Sequence, residues 1–307
     1  MDDQNKMNIL VTGGSGQIGS DIKLKNFNGF FFPSSTELDI SKKVSIRNFI
    51  EKNNINLILN LAAYTKVDES EINKKIAKDV NYHGALNLAK EASLKEIGII
   101  QFSTDYVFGK ERLGINFPND KLAPVNYYGL TKCLAEKAVL ENCDLGYVVR
   151  LASVYGQFGN NFISSVMKLI LKNDDVKVVC NQKISITSSL DLSNNILYLI
   201  DLYKEKVSHK SSENRILHFT NKGYTSWFSI AKIIKDEMQL ILNRKIPTKL
   251  VPINSKDWSS LASRPIDSRL KVNFRELEKN NIFLPKWDKS VRGFVRKMLP
   301  VILDEIK

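Results

Sequence analysis

Five short, nearly continuous apolar runs constrain this chain more than anything else in it: NILVTG (8–13), GFFFPSS (29–35), LILNLAA (57–63), IGIIQFSTD (97–105) and GYVVRLAS (146–153). Runs of that length without polar alternation suit strands buried on both faces. Between them lie VSIRNFIEKNN (44–54), INKKIAKDVNYHGALNLAKEA (72–92) and YGLTKCLAEKAVLEN (128–142), whose apolar residues recur at three and four, as on one helix face. Strand and helix in alternation predict an α/β fold, a Rossmann-type doubly wound parallel sheet with right-handed crossovers. Ligands of such sheets sit at the carboxyl ends of the strands.

After about residue 155 the pattern loosens. Helices are expected over 160–173, 188–206 and 226–242, and strands over 175–181 and 215–221. Residues 1–155 therefore form the expected dinucleotide-binding domain and 156–307 a smaller α/β substrate-binding part, with about 182–205 free to return to the first. The long loop SKDWSSLASRPIDSRL (255–270) suits a substrate cap. No internal repeat or low-complexity linker separates the parts, so close packing is expected.

The first run leads directly into Gly13-Gly14-Ser15-Gly16-Gln17-Ile18-Gly19. Glycines at that spacing, between a strand and a helix, allow a tight turn and a close approach of backbone to a pyrophosphate, whose charge then rests on free helix N–H groups. The second strand normally ends in the residue that reads the adenosine ribose, acidic for NAD or arginine for NADP. Ser34 and Ser35 stand there and choose neither, so NADPH and NADH both stay open. Asp39 and Ile40 suit the border of the adenine; Asp39 is equally suited to capping the helix that begins near Val44.

Tyr128 and Lys132 lie one helical turn apart, about 6 Å along the axis. A lysine ammonium beside a phenol favours the phenolate and lowers the tyrosine pKa, which suits proton exchange with a substrate oxygen. Alone the pair is a weak signal. It gains force from FSTDYVFG (102–109), leaving the end of a strand, where Ser103 and Thr104 offer hydroxyls and Asp105 and Tyr106 add a carboxylate and a second phenol.

Composition excludes other classes. The net charge of +12 is spread over scattered lysines, with no basic block and no basic stripe interleaved with aromatics, so no nucleic-acid partner is expected. No apolar run approaches the roughly 20 residues of a membrane helix. The opening MDDQNK lacks the apolar segment of a signal peptide, which leads us to expect a cytoplasmic chain. Cys133, Cys143 and Cys180 form no paired framework and no zinc spacing. His83, His209 and His218 are dispersed, and the three tryptophans Trp227, Trp258 and Trp287 read as core or loop anchors, with Trp258 placed to border a nucleotide.

The glycine turn, NLAAYTKVDESE (60–71), STDYVF, NYYGLTK and ASRPIDSRL (262–270) together resemble the dTDP-4-dehydrorhamnose reductase family of extended short-chain dehydrogenases, from Asn8 to about Trp287. STDYVF and SRPIDSRL are the most specific of these. The resemblance implies NAD(P)H-dependent reduction of the C4 keto group of a nucleotide-linked 4-keto-6-deoxy sugar, in deoxysugar and polysaccharide biosynthesis. It implies Tyr128 as proton donor, Lys132 on the nicotinamide ribose and Thr104 on the keto oxygen. Gly13, Gly16, Gln17, Ile18 and Gly19 would face the pyrophosphate, Asp39 and Ile40 the adenine, and Ala62, Ala63, Tyr64, Thr65 and Ser103 the rest of the cofactor. Val67, Thr104, Asp105, Tyr106, Ser153, Asn161 (beside Asn160 and Phe162) and Arg264 would hold the sugar nucleotide, Arg264 at its phosphates.

Two departures from the family pattern stand out. Ser153 replaces a tryptophan, which removes an aromatic wall from the sugar site. Some relatives bind magnesium at a dimer contact through glutamates; Asp21 and Asp288 fit two of those positions but Leu190 does not fit the third, so no required metal is expected, and a homodimer is the assembly to test. Among rival readings, a dehydratase needs an acid and a base, commonly Asp-Glu, where this chain has Asp105-Tyr106. An epimerase uses the same tyrosine and lysine with a retained cofactor, and a non-catalytic regulatory subunit of methionine adenosyltransferase type merely holds the dinucleotide.

Overall fold

A computed structural model describes residues 7–109, 113–172, 175–208 and 215–306; the MDDQNK segment and His209 lie outside the described residues. The expected parallel sheet is present. Its strands are β1 (Ile9–Thr12), β2 (Phe30–Phe31), β3 (Leu57–Asn60), β4 (Gly98–Thr104), β5 (Gly146–Leu151) and, in chain order after three strands of the second part, β9 (Ile216–His218). They run β2-β1-β3-β4-β5-β9, every pair parallel.

Both faces are covered, which is why these strands carry no polar alternation. On one face Ile9, Val11, Leu57, Leu59, Ile100 and Phe102 pack with Ile22 of α1 (Gln17–Lys23) and with Leu192, Ile196 and Leu199. On the other, Leu10, Ile58 and Ile99 meet α2 (Lys43–Lys52), α5 (Ala85–Leu94) and α6 (Tyr127–Asn142) through Ile46, Leu88, Ala135 and Val139. Each such buried Ile, Leu, Val or Phe side chain contributes about 1.5–3 kcal/mol.

Three predicted elements differ. The second strand is two residues long, not seven: Gly29 has φ +80° and no room for a Cβ, which would lie 2.6 Å from Met7 O, and Pro33 has no N–H to continue the ladder. The helix expected over 72–92 is three pieces, α4 (Lys74–Lys78), a π-helical turn Asp79–Gly84, and α5, and it is preceded by α3 (Val67–Ile72). Periodicity of three and four does not reveal an i→i+5 turn. The helix over 188–206 divides into α8 (Ser189–Asn194) and α9 (Ile196–Ser208) at Asn195, whose side-chain amide donates to Asp191 O and competes with the helix.

The later half also contributes to the first layer: α8 and α9 cover one face of the sheet and β9 is its sixth strand. A separate core gathers α7 (Phe162–Leu171), β7 (Val176–Val179), α10 (Trp227–Leu242), β10 (Leu250–Ile253) and α12 (Trp287–Ile306), with β7 and β10 paired in parallel. β6 (Val154–Tyr155) and β8 (Thr187–Ser188) tie the two cores, and α11 (Phe274–Lys279) adds Leu277 to the first. No helix among the described residues is long and apolar enough to cross a membrane.

Candidate active site

Helix α6 starts where it does because Asn126 caps it. The Asn126 carboxamide oxygen accepts from Gly129 N–H at 2.8 Å, its amide donates to Ser263 O at 2.8 Å, and Glu71 accepts from Tyr127 N–H at 2.8 Å. A Cβ on Gly129 would collide with Tyr106 O, so this first turn lies directly against the turn that follows β4. Tyr128 and Thr104 are each 9% exposed, at the carboxyl edge of the sheet, and the Tyr106 and Tyr128 rings meet edge to face at 6.0 Å.

Thr104 caps the 3-10 turn Asp105–Val107: its Oγ1 accepts from Tyr106 N–H at 3.2 Å and donates to Asp105 Oδ1 at 3.1 Å. Asp105 is fully enclosed, its Oδ2 finds no partner, and burial pushes its pKa up to about 7. Burial also pushes Tyr128 up to about 12, a rise opposed by its contact with the Thr104 hydroxyl, and brings Lys132 down to about 8. The expected lysine-lowered phenol is therefore reversed. Lys132 Nζ donates to Phe102 O at 2.7 Å, and burial is the largest influence on both groups.

Ser103 also departs from expectation. Its hydroxyl donates to Glu136 Oε1 at 2.5 Å, behind β4, where Glu136 forms a buried bidentate pair with Arg150. Strand pleating sends Thr104 to the ligand side and Ser103 to the helix side.

The glycine turn opens a groove of about 1030 Å³ that includes Thr12, Gly13, Lys23, Ser34, Ser35, Asp39, Ile40, Ala62, Ala63 and Asp79 among its lining. Gly13 has φ +70°, and a Cβ on it would lie 2.7 Å from Ala62 N; one on Gly19 would lie 2.6 Å from Gly14 Cα. Gly16 is the residue before α1, and Gln17 and Ile18 begin it, with Ile18 partly buried against the core. Such a trough of bare backbone at a helix start fits a pyrophosphate. Asp39 lines the groove and also accepts from Ser41 N–H and Oγ, which lowers its pKa; the helix it was weighed as capping begins at Lys43. Glu37 accepts from the Ser34 N–H and hydroxyl, both at 2.8 Å.

A second cavity, of about 450 Å³, is lined by Tyr106, Phe162, Lys177, Gln182, Trp227, Lys256, Trp258 and Arg264. Arg264 is held by Asp68 Oδ2 at 2.6 Å and by Ala262 O at 3.0 Å. The cap loop is thus bound to α3 as well as to Asn126. Asn161 caps α7 through Ser164 N–H, and its amide donates to Gly156 O at 2.8 Å and reaches Gln17 Oε1, beside the glycine turn, at 3.4 Å. Tyr64 OH donates to Glu69, Thr65 is exposed, and Val67 opens α3. Ser153 sits between β5 and β6 with φ +42°, in the left-handed region. Asp21, weighed as a metal ligand, accepts from Gln157 and Ser189.

Four residues that matter here were not found from the sequence. Asn81, inside the π turn, accepts from Tyr64 N–H at 2.7 Å and donates to Thr131 Oγ1 at 2.9 Å, pinning the β3 exit to α6. Lys177 and Gln182 reach the second cavity from far along the chain, and no local signal marks them. Glu136 had one: it stands four residues after Lys132 on the same helix face.

The model of the RmlD substrate binding domain matches residues 7–299. A dTDP-4-dehydrorhamnose reductase of Aggregatibacter actinomycetemcomitans is 32% identical over 270 residues, 86% of this chain and 90% of that protein. One of Sinorhizobium fredii is 30% identical over 297 residues, 95% and 98% of the two chains. Among solved structures, the dTDP-4-dehydrorhamnose reductase of Bacillus anthracis in complex with NADP superposes with a TM-score of 0.82 at 28% identity, covering 95% of this chain and all of that one.

Proposed function

We propose, because this chain belongs to the dTDP-4-dehydrorhamnose reductase family, that it reduces the C4 keto group of a dTDP-linked 4-keto-6-deoxy sugar with NADPH, as a step of deoxysugar biosynthesis in the cytoplasm. When bound, the dinucleotide supplies the hydride. The protein's own residues bind, orient and move the proton. Bare backbone at Gly13, Gly16 and Gly19 receives the pyrophosphate, and Ala62 and Ala63 line the path toward the reactive end. Lys23 and Ser35 offer a cation and a hydroxyl for a 2′-phosphate, while the Ser34 hydroxyl is engaged by the Glu37 carboxylate.

Thr104 Oγ1, its hydrogen turned from Asp105 to the ligand, holds the keto oxygen, and Tyr128 gives that oxygen the proton that completes the alcohol. A phenol held protonated by burial is the form a donor needs at the start of a reduction. Lys132 supplies donors to the ribose and favours the phenolate left behind. Arg264, steadied by Asp68, takes the diphosphate in the second cavity, and Trp258 and Trp227 border the base. The sugar nucleotide is the ligand in this reading, and a homodimer the assembly, measurable by light scattering.

The single observation that carries the reading is that Thr104 and Tyr128 share the carboxyl edge of the sheet with the glycine groove, while Tyr106 beside them lines the second cavity. The test is loss of absorbance of NADPH or NADH against a panel of dTDP-linked 4-keto-6-deoxy sugars. One NADPH consumed per alcohol formed supports reduction; product isomers without net consumption point to an epimerase and overturn it.

A further inference from the structure

Three consecutive residues of β4 meet three successive turns of α6. Thr104 touches Tyr128, Phe102 O accepts from Lys132 at 2.7 Å, and Ser103 donates to Glu136 at 2.5 Å. Tyr128, Lys132 and Glu136 follow each other at four-residue intervals, so they form one stripe on the buried side of the helix. Glu136 is 1% exposed and Lys132 3%. A charge taken that far from water costs several kcal/mol unless compensated, and a lone lysine there gives up its proton instead.

The groups around this stripe come from every packed element. From β5, Arg150 donates through Nε and Nη2 to the two Glu136 oxygens at 2.9 and 2.7 Å, and through Nη1 to Pro118 O at 2.8 Å. From β9, His218 accepts from Arg150 at 3.2 Å and donates from Nδ1 to Lys271 O at 3.1 Å. Burial and the Arg150 charge lower the His218 pKa to about 3, and burial raises Cys133 of α6 to about 12, so both are uncharged at neutral pH. Asp105 and Tyr128 stand at the ligand end. The Glu136 carboxylate opposes the loss of the Lys132 proton that burial drives.

We propose that Glu136 is a positioning residue of the reductase site: its buried carboxylate keeps Lys132 in the ammonium form, while its bond to Ser103 clips α6 to β4 so that Tyr128 stands opposite Thr104. Arg150 has a different part. It grips both Glu136 oxygens, and without that carboxylate the buried guanidinium would be left with no anion. The inference rests on the reductase reading above for its kinetic consequence, though not for its effect on Lys132.

Glu136→Gln keeps the size of the side chain and an acceptor for Ser103 but removes the charge; Glu136→Asp keeps the charge and shortens the reach. For Gln the alkaline limb of kcat/KM is expected to move down by about one pH unit, a tenfold loss near pH 8, with little change at pH 6. The pH at which NADPH affinity weakens, read by fluorescence titration without any substrate, is expected to move by the same amount. For Asp both limbs are expected at their wild-type positions. Wild-type limbs in Glu136→Gln, with Glu136→Asp the worse of the two, would show that packing alone matters and would overturn the proposal. Should Glu136→Gln fail to fold, Ser103→Ala removes the clip alone: a lower kcat with the NADPH limb at its wild-type position supports the proposal, and wild-type kcat overturns it. If the wild-type protein binds NADPH but reduces no 4-keto sugar, the reductase reading fails while the binding titration still decides the role of Glu136.

Discussion

Tyr128 and Thr104 face each other from different elements, the first turn of α6 and the last residue of β4, each with less than a tenth of its surface exposed. A substrate oxygen placed between a phenol and a secondary hydroxyl is both oriented and protonated. Tyr128→Phe is expected to lower kcat by about 10²–10⁴-fold, the usual worth of a general acid, with the dissociation constant for NADPH within about twofold. Thr104→Val should lower kcat by a smaller factor. Equal turnover by wild type and Tyr128→Phe would remove the tyrosine from the chemistry.

The glycine turn makes a steric prediction. A methyl group on Gly19 would lie 2.6 Å from Gly14 Cα and 2.9 Å from Gly14 C, and main chain cannot move aside as a side chain can. Gly19→Ala should cost about 1–3 kcal/mol of stability and weaken NADPH binding more than tenfold, measured by thermal melting with and without cofactor.

Asp105 carries a pH signature. Its folded pKa, pushed up to about 7 by burial, lies above its ordinary value of 3.8, so the folded state holds that proton more tightly. The resulting stabilisation is complete below about pH 4 and is lost as pH rises toward 7. His218, lowered to about 3, has the opposite slope, stabilising above its ordinary value near 6.5 and less as pH falls. Since Asp105→Asn leaves His218 in place, the difference between melting temperatures of wild type and variant isolates the carboxyl. Wild type should lose several degrees relative to Asp105→Asn between pH 4.5 and 7.5; parallel curves would contradict a buried, protonated Asp105.

Arg264 and Asp68 give a separable kinetic effect. The ion pair at 2.6 Å and the Asp68 bond to Ala262 N–H at 2.9 Å fix the cap loop beside the second cavity, away from the glycine groove. Arg264→Ala should raise KM for the sugar nucleotide by about tenfold or more, the scale of a charge-assisted hydrogen bond, and leave NADPH binding unchanged. Asp68→Asn should raise it less. A KM effect on NADPH instead would place Arg264 on the wrong ligand.

The parallel sheet, the glycine turn and the proximity of Tyr128 to the end of β4 were legible in the chain, because each depends on short-range physics: a strand buried on both faces is continuously apolar, a turn without Cβ atoms must be glycine, and four residues make one helical turn. Ser103 was misread because a run buried on both sides shows no alternation to say which hydroxyl points at the ligand. The π turn at Asp79–Gly84 was invisible because its periodicity is nearly that of an α-helix. Asn161, expected as a ligand, also caps α7. What tertiary structure alone decided was the electrostatic state of the site. A sequence places a lysine near a tyrosine, but whether the pair lowers or raises the phenol pKa depends on how much water remains around both. Here burial removes that water and raises Tyr128, while the same burial lowers Lys132 against the opposing pull of a carboxylate one turn farther along the helix.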